Sequence, residues 1–182
     1  MYPKYQSKAL LLASYPLKES DKAFVLFTER FGILHARAAA MRNEKSKLRQ
    51  KSSGYFLLDT VLLQGKAGWR IVELSEPSLH LSNFDMQALL KIGDIFKILL
   101  RFVPKDEENK KLFELMLRFL NDMALSKDKK EIEEKSLLIT HDILLLSGYM
   151  KGGILYNTDT HKNYNFTELE QNIKKAINTS QL

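Results

Sequence analysis

Tyr55-Phe56-Leu57-Leu58-Asp59-Thr60-Val61-Leu62-Leu63-Gln64, then Gly65-Lys66-Ala67-Gly68, then Trp69-Arg70-Ile71-Val72-Glu73-Leu74, is the stretch that decides the fold. Two runs rich in branched and aromatic residues, joined by a turn with a glycine at each end, describe a pair of antiparallel strands. The same punctuation recurs toward the N-terminus. Residues 9–15 form a first predicted strand and residues 22–28 (KAFVLFT) a second, with Pro16 and Glu19-Ser20-Asp21 as turn chemistry between them. Gly32 opens a third over 33–39, a polar segment follows over 42–53, and Gly54 introduces the long run. Glu76-Pro77 closes the pattern.

Five strands with a polar, helix-compatible insertion between the third and fourth is the chain order of an OB-fold, a small barrel whose common use is binding oligonucleotides. An SH3-like barrel is the competing reading, because strand count alone separates the two poorly. After residue 78 the apolar period changes to three and four. Phe84, Leu89, Ile92, Ile95, Phe96, Leu99 and Phe102 mark a first helical face, with Ser82 or Asn83 as its cap and Pro104 as its end. Leu112, Leu115, Met116, Phe119, Leu120 and Met123 mark a second helix, preceded by Asp106, Glu107 and Glu108 in what reads as its first turn. Residues 137–145 give a third, stopped by Gly148, and a capping box at Thr167-Glu168-Leu169-Glu170 starts a fourth. Residues 127–135 read as a solvated charge run. The expected architecture is therefore α+β in two domains: an OB-fold nucleic-acid-binding domain over 1–77 and an all-α helical domain over 78–182.

Charge is distributed unevenly across this division. Residues 1–77 hold 13 lysines and arginines against 7 acids, and the remainder is balanced at 15 against 15, so the whole net charge of +6 lies on the predicted barrel. A polyanion is the matching partner. The densest cluster is Arg42, Lys45, Lys47, Arg49 and Lys51, set against the single Glu44. In the third strand His35 and Arg37 alternate with Leu34, Ala36 and Ala38, which turns Arg37 outward from the strand that feeds the cluster. These six cations are the candidate DNA-binding residues, acting on phosphates without regard to sequence. The bland alternative is a solubilising loop. Tyr5, Tyr15, Phe31, Tyr55 and Trp69 are candidate base-stacking platforms, although Trp69 suits a core position as well.

Other chemistries are poorly represented. The chain has no cysteine, which removes disulfides, thiolate zinc sites and a cysteine nucleophile. His35, His80, His141 and His161 are isolated, and His141 and Asp142, being adjacent, should splay to different helix faces. No phosphate-loop or serine-nucleophile pattern is legible. The expectation is a non-enzyme with no catalytic residue, metal or cofactor. No signal peptide or run of about 20 apolar residues is present, which points to a cytoplasmic protein without a membrane span.

Glu19-Ser20-Asp21, Leu26-Phe27-Thr28-Glu29-Arg30-Phe31-Gly32, residues 38–42 and Lys45-Ser46-Lys47-Leu48-Arg49, in this order and spacing, resemble the N-terminal pattern of the bacterial recombination mediator family RecO. There an acidic pair precedes the second strand, a Phe-Thr and a glycine close it, and a basic Ser-Lys/Arg-Leu segment follows the third. The resemblance covers residues 7–75 and is fainter at Leu112-Phe113-Glu114-Leu115 and over 144–149. It implies an OB-fold joined to a helical domain, and binding of single- and double-stranded DNA. It also implies annealing of complementary strands and cooperation with RecR in loading RecA onto strands coated by single-strand-binding protein. The DNA-contacting role then falls on Arg42, Lys45, Lys47 and Arg49. The chain departs from the family in lacking the four zinc-binding cysteines, in stopping short, with residues 151–182 as a reduced replacement, and in having Ala39-Ala40 where a basic residue and a glycine are common. Two other readings stand beside the mediator: an adaptor that holds the C-terminal tail of single-strand-binding protein on its helical domain, and an RNA-binding OB module.

Overall fold

The computed structural model of the chain describes residues 2–17, 20–39, 48, 54–156 and 164–180, with 75–77 described for the backbone only. Its first five elements are strands: β1 (Lys4–Leu17), β2 (Asp21–Thr28), β3 (Gly32–Ala38), β4 (Tyr55–Gly65) and β5 (Gly68–His80). They close in the order β1-β2-β3-β5-β4, with β1 returning to β4. Every pairing is antiparallel except β3 with β5, which meet in parallel at Ala36↔Trp69 and Arg37↔Arg70. This is the OB-type closure that the order of elements implied.

A single strand cannot follow two neighbours around a small barrel without bending. In β1, residues 4–10 pair with β4, from Lys4↔Leu63 to Leu10↔Leu57, and residues 9–17 pair with β2, from Ala9↔Thr28 to Leu17↔Asp21, so Ala9 and Leu10 serve both neighbours and a register shift between Leu11 and Ala13 bends the strand just beyond them. The strand is twice the length expected, because its polar first half (Lys4, Gln6, Lys8) carries no apolar alternation to read. β5 also outruns its expected end. It passes through Pro77 at a second irregularity, where Leu57↔Ser78 gives way to Asp59↔Ser75 and the extra residue lies on β5. Proline lacks the ladder N–H, and a bulge is one of the few strand positions that tolerates it.

The barrel interior is filled by Ala9, Phe24, Leu26, Leu34, Ala36, Ala38, Leu58, Leu62, Ile71 and Leu74. Leu48, helical and half-buried, packs against this core from the connection between β3 and β4. β2 is buried along nearly its whole length, on both faces. The cover for the Phe27 end of its outer face comes from far along the chain.

Two compact units result, Met1–Asn83 with Lys105–Phe113, and Phe84–Pro104 with Glu114–Leu182. The stretch Lys105–Phe113, expected with the helices, thus lies with the barrel. Phe113 meets Phe27 edge to face at 5.5 Å, Lys105 bridges Ile33 in parallel, and the Asp106 amide donates to the Ile33 carbonyl at 3.0 Å. Gly32 makes the approach feasible. Its φ is +65°, and a Cβ there would overlap the Glu107 carbonyl, whose carbon would lie only 2.7 Å away.

The second unit is helical: α1 (Met86–Phe102), α2 (Lys110–Leu125, whose first turn falls in the barrel unit), α3 (Lys129–Leu146) and α4 (Phe166–Thr179). The caps differ from those expected. Asp85, not Ser82 or Asn83, accepts the Gln87 amide at the start of α1. Asn109 accepts the Leu112 amide, so Asp106, Glu107 and Glu108 precede α2 instead of forming its first turn. Asp128 caps α3 within the supposed charge run, whose Lys135–Glu131 pair is an i,i+4 contact on the helix. Asn165 in place of Thr167 caps α4. α3 does stop at Gly148: the Tyr149 amide donates to Leu144 and the Gly148 amide to Leu145, a Schellman motif with Gly148 at φ +82°.

One buried carboxylate organises this unit. Asp142, fully buried, accepts the backbone amides of Leu155 (2.9 Å) and Tyr156 (2.7 Å), and its Oδ1 lies 2.8 Å from His141 Nδ1. The adjacent pair therefore does not splay apart, because the His141 ring folds back along the helix to donate. Tyr156 in turn donates its hydroxyl to Asp122 at 2.7 Å, and burial together with that carboxylate pushes the phenol far above its ordinary pKa.

Three substitutions test these features. Gly32→Ala should lose about 3 kcal/mol or more in urea unfolding, from φ strain plus overlap with Glu107. Gly68→Ala, at φ +94° with open space around it, should lose only about 1–2 kcal/mol. Asp142→Ala should cost about 2–4 kcal/mol, since it strands two buried amides. Chemical denaturation of the three variants beside the parent chain measures all three values.

Candidate nucleic-acid interface

On β3 the alternation holds: His35 and Arg37 are exposed, and Leu34, Ala36 and Ala38 are buried. Register extends this outward face across the sheet. Tyr15, Ala23 and Arg37 stand in one row through β1, β2 and β3, and the parallel pairing sets Arg70 of β5 beside Arg37. The row above holds Ala13, Val25 and His35. Alanine and valine at the centre keep the floor low. Exposed Tyr15 flanks it on one side and two arginines on the other, with the Tyr15 hydroxyl 3.1 Å from His35 Nδ1.

Arg37 is not an idle cation. Its Nε donates to Asp21 Oδ2 at 2.7 Å, a second guanidinium nitrogen reaches the same oxygen, and Asp21 is buried while the Arg37 side chain is half exposed. The carboxylate aims the guanidinium and offsets much of its charge. Arg70, exposed, has no ion-pair partner among the described residues, nor do Lys4, Lys8, Arg30 and Lys66 on the same unit. Arg70 was legible from alternation with Ile71 but was not singled out. Arg42, Lys45, Lys47, Arg49 and Lys51 lie outside the described residues.

The aromatic candidates separate into three settings. Tyr55 packs on the barrel core and meets His80 at 4.8 Å, and Tyr15 belongs to the outer face just described. Tyr5, Phe31 and Trp69 come together from β1, the β2–β3 turn and β5. Their centroids are 5.3 Å (Tyr5–Phe31), 5.8 Å (Tyr5–Trp69) and 4.9 Å (Phe31–Trp69) apart. All three are half-buried, and Phe31 and Trp69 rest on the barrel core. Arg30 lies 5.4 Å over the Phe31 ring and donates to the Gln6 carbonyl.

Among the described residues no group of three or more His, Asp or Glu is placed to hold a metal ion, and no helix is long and apolar enough to cross a membrane. His80 lies 2.7 Å from the Ser82 hydroxyl and His141 belongs to the Asp142 network, so each described histidine has a neighbour that accounts for its orientation.

A closed five-stranded barrel of OB order, with an outward face of arginines and aromatics, defines an OB-type module, an architecture whose common use is binding oligonucleotides. Comparison with known sequences gives the particular likeness: residues 1–79 match the family described as Recombination protein O N terminal. The chain is 26% identical over 125 residues to a DNA repair protein RecO of Clostridium novyi (strain NT), covering 66% of this chain and 49% of that protein. It is 24% identical over 143 residues to the DNA repair protein RecO of Alkaliphilus metalliredigens (strain QYMF), covering 78% and 56%. A third match, 25% over 73 residues, is the DNA repair protein RecO of Gloeothece citriformis (strain PCC 7424). The chain spans about half the length of the first two of these relatives.

The Asp21–Arg37 pair gives a direct test of the outer face. Asp21→Asn leaves the Arg37 charge unbalanced, so the slope of log affinity against log salt on single-stranded DNA should steepen by about 0.7, one added phosphate contact. Arg37→Ala in the parent should change the slope by less than that. Fluorescence anisotropy at a series of salt concentrations reads both.

Proposed function

We propose that this chain is a non-catalytic recombination mediator in DNA repair that binds single- and double-stranded DNA and anneals complementary strands. The observation that carries the reading is the OB-order barrel matching the RecO N-terminal family while bearing the chain's entire positive surplus. The mechanism is charge neutralisation. Cations around the barrel let two mutually repelling phosphate backbones approach, and base pairing then supplies the driving force. Arg42, Lys45, Lys47, Arg49 and Lys51 form the main phosphate-contacting set, with Arg37 and Arg70 extending it over β3 and β5. The same chain assists RecA loading together with RecR in the cytoplasm.

Contact with the acidic, phenylalanine-ended tail of single-strand-binding protein belongs to the helical unit in this reading. A groove of about 680 Å³ there has Tyr149, Met150, Leu169 and Ala176 along it and Lys151 and Lys175 at its edges, a composition suited to an apolar residue followed by carboxylates. If contact with that tail were the whole function, the protein would be an adaptor.

For about six neutralised phosphates, log affinity for single strands should fall with a slope of about −4 against log salt. Joint replacement of Lys45, Lys47 and Arg49 by alanine should flatten the slope by about 2. Annealing of two complementary labelled oligonucleotides should accelerate at low salt with stoichiometric protein and lose that acceleration in the triple variant. An unchanged slope moves the site elsewhere, and absent acceleration favours the adaptor. Competition between matched DNA and RNA strands tests the RNA-binding alternative.

A further inference from the structure

The aromatic trio borders a depression of about 440 Å³ whose other walls are Gln64, Gly68 and Asp106. Its size falls within the about 300–1,000 Å³ of ordinary small-ligand sites. The rings meet at interplanar angles of 42° to 72°, so none spends a face stacking flat on another. Asp106 is fixed at the rim by the hydrogen bond its amide donates to the Ile33 carbonyl and sits at φ +56°, a left-handed conformation that aspartate tolerates better than most residues. The β4–β5 turn, which supplies Gly68, is one of the two loops that border the ligand cleft of an OB-fold.

We propose that this depression receives one unpaired nucleobase of a bound DNA strand. The inference rests on the DNA-binding reading above and assigns to it a base-contacting subsite. Lining chemistry selects a base over a phosphate. Among the described lining residues Asp106 alone is charged, and a carboxylate repels phosphate but accepts hydrogen bonds from the exocyclic amino groups of cytosine, adenine and guanine. Gln64 offers both a donor and an acceptor to a base edge. The exposed cations Lys4, Arg30 and Lys66, each one or two residues from a pocket wall, stand outside it, where the flanking phosphates run. The aromatic rings supply the sequence-tolerant stacking that binding of single strands requires.

Trp69 is the single tryptophan of the chain, so its emission reports on this pocket directly. The test titrates the full chain with a single-stranded DNA oligonucleotide and with an abasic strand of equal length and charge, reading Trp69 emission and, separately, anisotropy of the labelled strand. The expected result is quenching of Trp69 by the base-bearing strand and none by the abasic strand, although anisotropy shows both bound. Tyr5→Leu, which keeps apolar bulk at the site, should weaken the base-bearing strand about 5- to 10-fold and leave abasic binding unchanged. Binding with unaltered Trp69 emission, equal quenching by both strands, or equal weakening of both by Tyr5→Leu overturns the pocket but leaves phosphate binding standing. No binding of either strand overturns the DNA-binding reading, and the pocket with it.

Discussion

The architecture of the first unit depends on one strand having two partners. β1 pairs with β4 over residues 4–10 and with β2 over residues 9–17, and the register shift between Leu11 and Ala13 adds to the bend that this double pairing requires. Without that bend the five strands would form an open sheet with an edge on β1. With it, the short parallel contact of β3 and β5 completes the ring and carries Arg70 to Arg37. The same closure brings Tyr5, near the start of β1, within ring contact of Trp69 on β5. Both candidate surfaces are thus products of closure more than of any local motif.

This explains what could and could not be read from the sequence. All five strands were legible, because glycine and proline punctuation bounds runs such as KAFVLFT and YFLLDTVLLQ. The outward turn of Arg37 was legible too, since it needs only a period of two. Its partner Asp21 was not, because the two lie 16 residues apart and on different strands. The aromatic trio combines residues 5, 31 and 69, each ordinary in its own neighbourhood. Helix caps were misplaced by two or three residues at two starts for a plainer reason. Ser82, Asn83, Asp85, Thr167 and Asn165 are all competent caps, and tertiary packing decides which is used.

The helical unit shows the opposite dependence. Beside its apolar core it depends on Asp142, a fully buried carboxyl group whose oxygens accept from two backbone amides and an imidazole. That arrangement ties the extended segment around residues 155–156 to the middle of α3, and Tyr156 passes the connection on to Asp122 of α2. Polar groups thus fix the backbone of a segment whose largest side chain, Tyr156, is itself fully buried.

The return of Lys105–Phe113 to the barrel separates two notions that are often treated as one. The stretch shared with the RecO N-terminal family ends at residue 79, but the outer side of Phe27 and the exposed backbone beside Ile33 are completed only some 25 to 35 residues later. The matched stretch and the self-sufficient unit therefore have different boundaries in this chain. An isolated segment cut to the matched length would bare an apolar seam and a ladder edge, and its natural remedy would be to adhere to another copy of itself.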